Sequence, residues 1–145
     1  GDVIFHHYIL DALNETSDAF AIAVDTDWRE SANRGRAADY VSCTQAHSRR
    51  NFYQQVYLEA AGENLAEDRI HGEWMGFLRV AAGSLPKFRA TVASVAARPA
   101  NRQAKMLAVL AELMRSGERI RVIYTTGHWL DVDSLEDVLA ASEFG

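Results

Sequence analysis

The stretch Phe20-Ala21-Ile22-Ala23-Val24, followed at once by Asp25-Thr26-Asp27-Trp28, decides how this chain folds. An unbroken apolar run this short suits a strand buried on both faces, because a strand with one wet face alternates instead. The polar, turn-prone residues behind it end the strand. A strand of this kind belongs to an α/β sheet covered by helices.

Upstream, Ile4, Tyr8, Ile9 and Ala12 or Leu13 recur at helical spacing and predict a helix over 4–15, broken by Thr16-Ser17-Asp18. Downstream, residues 29–38 are polar and read as a loop. Asp39–Thr44, Tyr53–Ala60 and Glu73–Val80 read as strands, with Gly76 marking a bulge or a close backbone approach. Leu85, Phe88, Val92 and Val95 follow helical spacing up to Pro99. A further helix starts near Asn101, a suitable N-cap, and ends at Gly117 with Arg115 in its last turn. Arg119–Tyr124 alternates as a strand does. Ser134 begins a last helix, with Asp137 three positions on as its capping-box partner. Strands and helices intermix, so the expected class is α/β: a mixed, mostly parallel sheet flanked by helices.

The 145 residues fit one domain or part of one. With 48% hydrophobic and 24% charged residues, there is ample material for a core. The net charge of −5 argues against a general nucleic-acid binder, which shows a basic face. It leaves room for a phosphate-bearing small substrate held through a metal ion. One cysteine, Cys43, excludes an intramolecular disulfide framework, and no signal peptide is visible, so a reducing, cytoplasmic setting is expected. No apolar run approaches the ~18 residues of a membrane span. The chain opens on Gly1-Asp2 rather than Met, which reads as a piece cut from something longer.

Four places could carry chemistry. Asp2 stands where an upstream strand would end, and a carboxylate there could hold Mg²⁺, a hard cation that takes oxygen ligands, waters and substrate phosphates. Taken alone, the commoner fate of such an Asp is a helix N-cap or a frayed end. Asp131 and Asp133 lie two apart and would face one side of an extended segment, a plausible half-site for a divalent ion; Asp133 or Ser134 could also cap the final helix. Glu73, in His71-Gly72-Glu73-Trp74, could bond a substrate hydroxyl or ammonium, or be a solvated strand residue. In Asp25-Thr26-Asp27-Trp28-Arg29, Asp25 and Trp28 are substrate-binding candidates; Trp28 could form one wall of a cationic-headgroup pocket, although a core aromatic is the commoner fate of a Trp. His6, His7, His47, His71 and His128 show no zinc spacing. Cys43 reads as a small buried hydrophobe, and Ser42 and Ser48 lack a nucleophile motif. Arg49-Arg50 reads as a solvated pair. No glycine-rich phosphate loop occurs.

Gly1-Asp2 before an apolar helix, Ala23-Val24-Asp25-Thr26-Asp27-Trp28, Gly72-Glu73-Trp74-Met75-Gly76 and Trp129-Leu130-Asp131-Val132-Asp133-Ser134-Leu135-Glu136-Asp137 span nearly the whole chain in order. Together they resemble the C-terminal part of the nucleotidyltransferase family, in the subgroup associated with phosphoenolpyruvate phosphomutase and with phosphocholine and 2-aminoethylphosphonate cytidylyltransferases. The resemblance implies a Rossmann-like fold. It implies that Asp2 and Asp133 ligate Mg²⁺ with Asp131 as helper, and that Glu73 lines the acceptor pocket. Asp25 and Trp28 match a motif of less defined role.

The implied reaction moves a nucleoside monophosphate, CMP favoured, from a nucleoside triphosphate to a phosphonate or phosphocholine-like acceptor, with pyrophosphate leaving. The family's glycine-rich loop, Arg and Pro-Lys pair would precede Gly1, so the chain by itself is expected to be inactive. An apolar face left by a missing half would favour association, a homodimer included. The competing expectation is a non-catalytic interaction or dimerisation fragment whose acids are helix caps.

Overall fold

The computed structural model describes residues 3–31, 38–51, 53–98, 105–132 and 134–144. In chain order the elements are β1 (Val3–Phe5), α1 (Tyr8–Glu15), β2 (Phe20–Asp25), β3 (Tyr40–Cys43), β4 (Val56–Gly62), β5 (Gly72–Val80), α2 (Leu85–Ala96), α3 (Met106–Arg115), β6 (Ile120–Thr125), β7 (Trp129–Asp131) and α4 (Leu135–Ser142). Short 3-10 turns at Glu67–Arg69 and Ala82–Ser84 flank β5.

β2 is buried along its whole length, as its unbroken apolar run requires. Its alternate residues face two different cores. Phe20, Ile22 and Val24 join a cluster fed by all five strands of the main sheet and by Val95 of α2 and Leu110 and Leu113 of α3. Ala21 and Ala23 face Ile9 and Leu13 of α1, together with Met75. The two small side chains let α1 settle close to the sheet. Full burial of Ile9 and Leu13 contributes about 1.5–3 kcal/mol for each side chain.

The sheet corrects the expected fold class. The strands close into a barrel in the order β2-β5-β3-β4-β6, and β6 returns to pair with β2. Four of the five neighbouring pairings are antiparallel; only β2 with β6 is parallel. Strand directions cannot alternate all the way round a ring of odd number, so one parallel pair is the minimum. The mostly parallel, Rossmann-like sheet is therefore not the architecture. An apolar run covered on both faces says nothing about the direction of its neighbours, and here the covers are α1 on one side and the shared core with α2 and α3 on the other.

A second correction concerns the N-terminal segment. The expected helix over 4–15 begins only at Tyr8, and Ile4 and Phe5 belong to β1. β1 pairs antiparallel with β7 as a separate two-stranded ribbon, in the register Val3↔Asp131, Ile4↔Leu130 and Phe5↔Trp129. Phe5 anchors the ribbon by packing edge-on to Phe77, with ring centroids 4.6 Å apart. The expected N-cap at Asn101 lies outside the described residues. The end of α3 is as expected: the amides of Gly117 and Glu118 return to the carbonyls of Met114 and Leu113, closing a Schellman motif.

Two glycines shape β5. Between Ile22↔Leu78 and Val24↔Trp74 the register slips, and Gly76 takes the bulge at φ +81°. The close backbone approach is at Gly72 instead: a Cβ there would lie 2.4 Å from Val24 Cγ1 and 2.6 Å from the Asp25 carbonyl oxygen. Among the described residues no helix is long and apolar enough to cross a membrane.

Candidate functional site: an acidic cleft at the end of the parallel pair

β2 and β6 run side by side and end together, Asp25 opposite Thr125. The chain turns away from both at this end, and the cleft that opens has a volume of about 240 Å³. Asp25, Asp27 and Glu30 from the β2 side and Trp129 and Asp131 from β7 border it.

Asp25 organises this cleft. It is 3% exposed, yet its carboxylate has a donor on each side. Oδ1 accepts from the Gly127 amide at 2.9 Å and from the Asp27 amide at 2.9 Å. Oδ2 accepts from Trp129 Nε1 at 2.8 Å. One buried carboxylate thus ties the turn after β2, the turn after β6 and the first residue of β7. Charge-assisted bonds of this kind are about twice as strong as neutral ones.

The turn it holds is conformationally unusual. Gly127 (φ 58°) and His128 (φ 62°) both lie in the left-handed region. A non-glycine residue there costs energy that the surroundings must offset. His128 is gripped from several directions: its carbonyl accepts from the His6 amide at 3.0 Å, and its Nδ1 is 2.9 Å from the Tyr8 hydroxyl. Partial burial, and secondarily the charge of Asp25, push the Tyr8 phenol up.

The structure places the residues singled out from sequence as follows. Asp131 borders the cleft. Asp2 and Asp133 lie outside the described residues. The register of β1 with β7 nevertheless sets Val3, which follows Asp2, opposite Asp131, which precedes Asp133 by two positions. Glu73 is 2% exposed and is the cross-strand partner of Asp25, so two acids separated by 48 positions share one face of neighbouring strands. Trp28 is 6% exposed, stacks edge-on to Tyr40 at 5.3 Å and carries the Arg29 guanidinium 4.4 Å from its ring centroid. A cation already covers that ring. Cys43 is buried, and burial first of all pushes its thiol up to about 11. The capping box of α4 is present, with Asp137 donating its amide to Ser134 Oγ at 3.2 Å.

Sequence reading missed Glu30, lost in a stretch read as loop, and the role of Trp129. An indole N–H is a donor with no acceptor function, so a Trp beside a polar turn signals a carboxylate or carbonyl nearby. Among the described residues no three His, Cys, Asp or Glu side chains converge as a metal-holding group. Mg²⁺ asks for less: it commonly keeps waters and takes one or two carboxylates plus substrate phosphates. Asp131 borders the cleft with one such carboxylate, and Asp25 gives its own to three donors. Compared with known proteins, the chain matches no protein-family model and no curated sequence.

Proposed function

We propose that the chain supplies the cation- and acceptor-handling part of a Mg²⁺-dependent nucleotidyltransferase, moving a nucleoside monophosphate, CMP favoured, from a nucleoside triphosphate to a phosphonate or phosphocholine-like acceptor. The observation that carries this reading is the β1–β7 register, which sets the strand after Asp2 beside the strand before Asp133 at an acidic cleft. Asp131, with Asp2 and Asp133, would hold the cation. When bound, it neutralises the charge that gathers on the phosphates.

The chain's own residues position the reactants. Asp25 holds the Gly127–Trp129 wall in one conformation, and Asp27 and Glu30 keep the mouth acidic, so a polyphosphate enters only with its cation. A phosphonate or phosphate acceptor is already ionised at neutral pH, so its oxygen attacks the α-phosphorus in line without a strong base, and pyrophosphate leaves.

Titration of the chain with Mn²⁺, followed by calorimetry and by paramagnetic broadening of amide signals, tests the reading. Saturable binding centred on residues 129–132 is expected, weakened about tenfold by Asp131→Asn. Asp2→Asn and Asp133→Asn should depress CTP-dependent pyrophosphate release by orders of magnitude in the active enzyme. No cation binding, or binding indifferent to all three substitutions, overturns it.

A second reading, self-association, rests on α4, whose Leu135, Val138 and Leu139 are 85%, 52% and 70% exposed. Sedimentation velocity decides it, and a monomer at micromolar concentration removes it.

A further inference from the structure

A second cleft, of about 320 Å³, opens between the segment 44–55 and β6, bordered by His47, Ser48, Asn51, Gln54, Arg121 and Tyr124. It exists because β4 pairs with β6 only at Val56↔Val122 and Tyr57↔Arg121, after which the connecting segment stands off from the strand. Among the described residues no Asp or Glu borders it.

Arg121 is the residue that calls for an explanation. Its neighbours Ile120 and Val122 face the barrel core, so alternation turns Arg121 to the other face. Its Nε and Nη1 are shielded from solvent and find no acceptor among the described residues. Arg121 takes part in none of the ion pairs these residues make. Buried donors are normally satisfied, and a charged one without an acceptor is costly.

Two acids stand nearby, and neither accepts from its Nε or Nη1. Arg121 also borders a neighbouring cleft with Glu15 and Asp18. Asp18 Oδ2 accepts from Thr16 Oγ1 at 2.7 Å, and its Oδ1 faces the Tyr57 phenol at 3.3 Å.

Other groups around the cleft complement an anion. Ser48 Oγ accepts from the Arg50 amide at 3.2 Å, which leaves its hydroxyl proton to donate. His47 stands edge-on to Tyr124 with centroids 5.6 Å apart. Asn51 and Tyr124 are spent on the loop itself: Asn51 Nδ2 donates to Gln45 Oε1 at 2.9 Å and the Tyr124 hydroxyl to the Gln45 carbonyl at 2.6 Å. These bonds hold the wall in place and leave binding to Arg121, Ser48 and His47. Arg119 and Arg121 lie 3.6 and 5.7 Å from the Tyr57 ring centroid, and Arg49 and Arg50 are exposed on the same segment as Ser48, so positive charge gathers on this side of a chain of net charge −5.

We propose that this cleft binds a small oxyanion, a phosphate, phosphonate or carboxylate group, with Arg121 as the cationic anchor and Ser48 and His47 as further donors. A guanidinium gives such a group charge-assisted bonds that water cannot match in a shielded site. The site is independent of the nucleotidyl-transfer reading, and either stands if the other falls.

The test is an amide-resolved NMR titration of the ¹⁵N-labelled chain with inorganic phosphate and, separately, with acetate at constant ionic strength. Saturable shifts confined to residues 46–51 and 121–124 are expected. Saturation by phosphate alone assigns the site to phosphate or phosphonate groups, and by acetate alone to carboxylates. Arg121→Gln should weaken binding at least about tenfold. Because Arg121 is partly buried, Ser48→Asp is the second variant: it puts a negative charge at the cleft, which repels an anion and should cost the same tenfold without touching the barrel. Shifts that stay linear with both anions, or full affinity retained in either folded variant, overturn the proposal.

Discussion

Two clefts beside one strand, β6, settle their charge in opposite ways. At its carboxyl end, Asp25 is buried with three donors converging on it, and the cleft walls are fastened through that carboxylate. Beside its middle, Arg121 is shielded with two nitrogens that no acceptor meets. Burial alone does not distinguish the two, since both hide a charged side chain. The hydrogen-bond accounting does: the satisfied acid is part of the framework, while the unsatisfied base is a group whose partner comes from outside. Conservative substitutions should therefore behave differently at the two places, with stability at stake in one and ligand affinity in the other.

The largest effect is expected from Asp25→Ala. It strands the amides of Asp27 and Gly127 and the indole N–H of Trp129. At about 1–3 kcal/mol for each buried group left unmet, with partial relaxation, the loss should reach about 3–5 kcal/mol. Asp25→Asn keeps one acceptor oxygen and should lose less. Urea unfolding monitored by tryptophan fluorescence measures both. Equal, small losses would mean that the carboxylate is not the fastening, and the contrast between the clefts would collapse. Phosphate titration of the folded Asp25→Asn chain should still move residues 121–124.

An alkaline titration probes Tyr124, which borders the second cleft, and Cys43 in the core beside it. Cys43 and Tyr124 are both held neutral chiefly by burial: the thiol is pushed from its ordinary value near 9 up to about 11, and the phenol is raised as well. The unfolded chain therefore releases the Cys43 proton first. Stability from this group is complete below about pH 9 and is lost as pH rises through 11. Two pH units correspond to about 3 kcal/mol at most. Cys43→Ala should remove the part of the alkaline decline that starts near pH 9, leaving the later part owed to Tyr124. Equal slopes for both chains between pH 9 and 10 would show that the thiol is not held neutral.

Much of the fold was legible because local signals and packing agree. The run Phe20–Val24 is a strand buried on both faces, the alternation of Arg119–Tyr124 is β6, and Gly117 and Ser134 stand at the helix ends where capping chemistry puts them. What failed was direction and closure. Neighbour orientation depends on contacts such as Tyr40↔Glu73 and Val56↔Val122, which no local pattern encodes. Ile4 fits a helical period by spacing alone, but its pairing with Leu130 outweighs it. The candidate site was legible as a set of acids and not as an arrangement. Asp25 stands out by its motif, whereas its three donors come from Asp27, Gly127 and Trp129, two of them about 100 positions away. Arg121 carries no local signal, since an arginine in an alternating strand is ordinary until its partners are counted.

The smallest effect concerns α4, which follows the acidic cleft directly. This helix has eight residues, too few to be stable alone, and its Leu135 and Leu139 gain little from packing at 85% and 70% exposure. Its start depends on the capping box, in which the Ser134 amide donates to Asp137 Oδ2 at 2.8 Å and the Ser134 hydroxyl to the same oxygen at 2.7 Å. Ser134→Ala removes the hydroxyl and should cost about 1 kcal/mol. Because α4 shares little core, the loss should appear as local fraying: amide exchange over 137–142 faster by about fivefold, with the urea midpoint of the whole chain almost unmoved. Signals of residues 129–132 should shift, since β7 leads into the helix, and those of 46–51 and 121–124 should not. A uniform drop in protection across both clefts would mean that the last turn of the chain braces the barrel itself, and that the two sites are coupled through it.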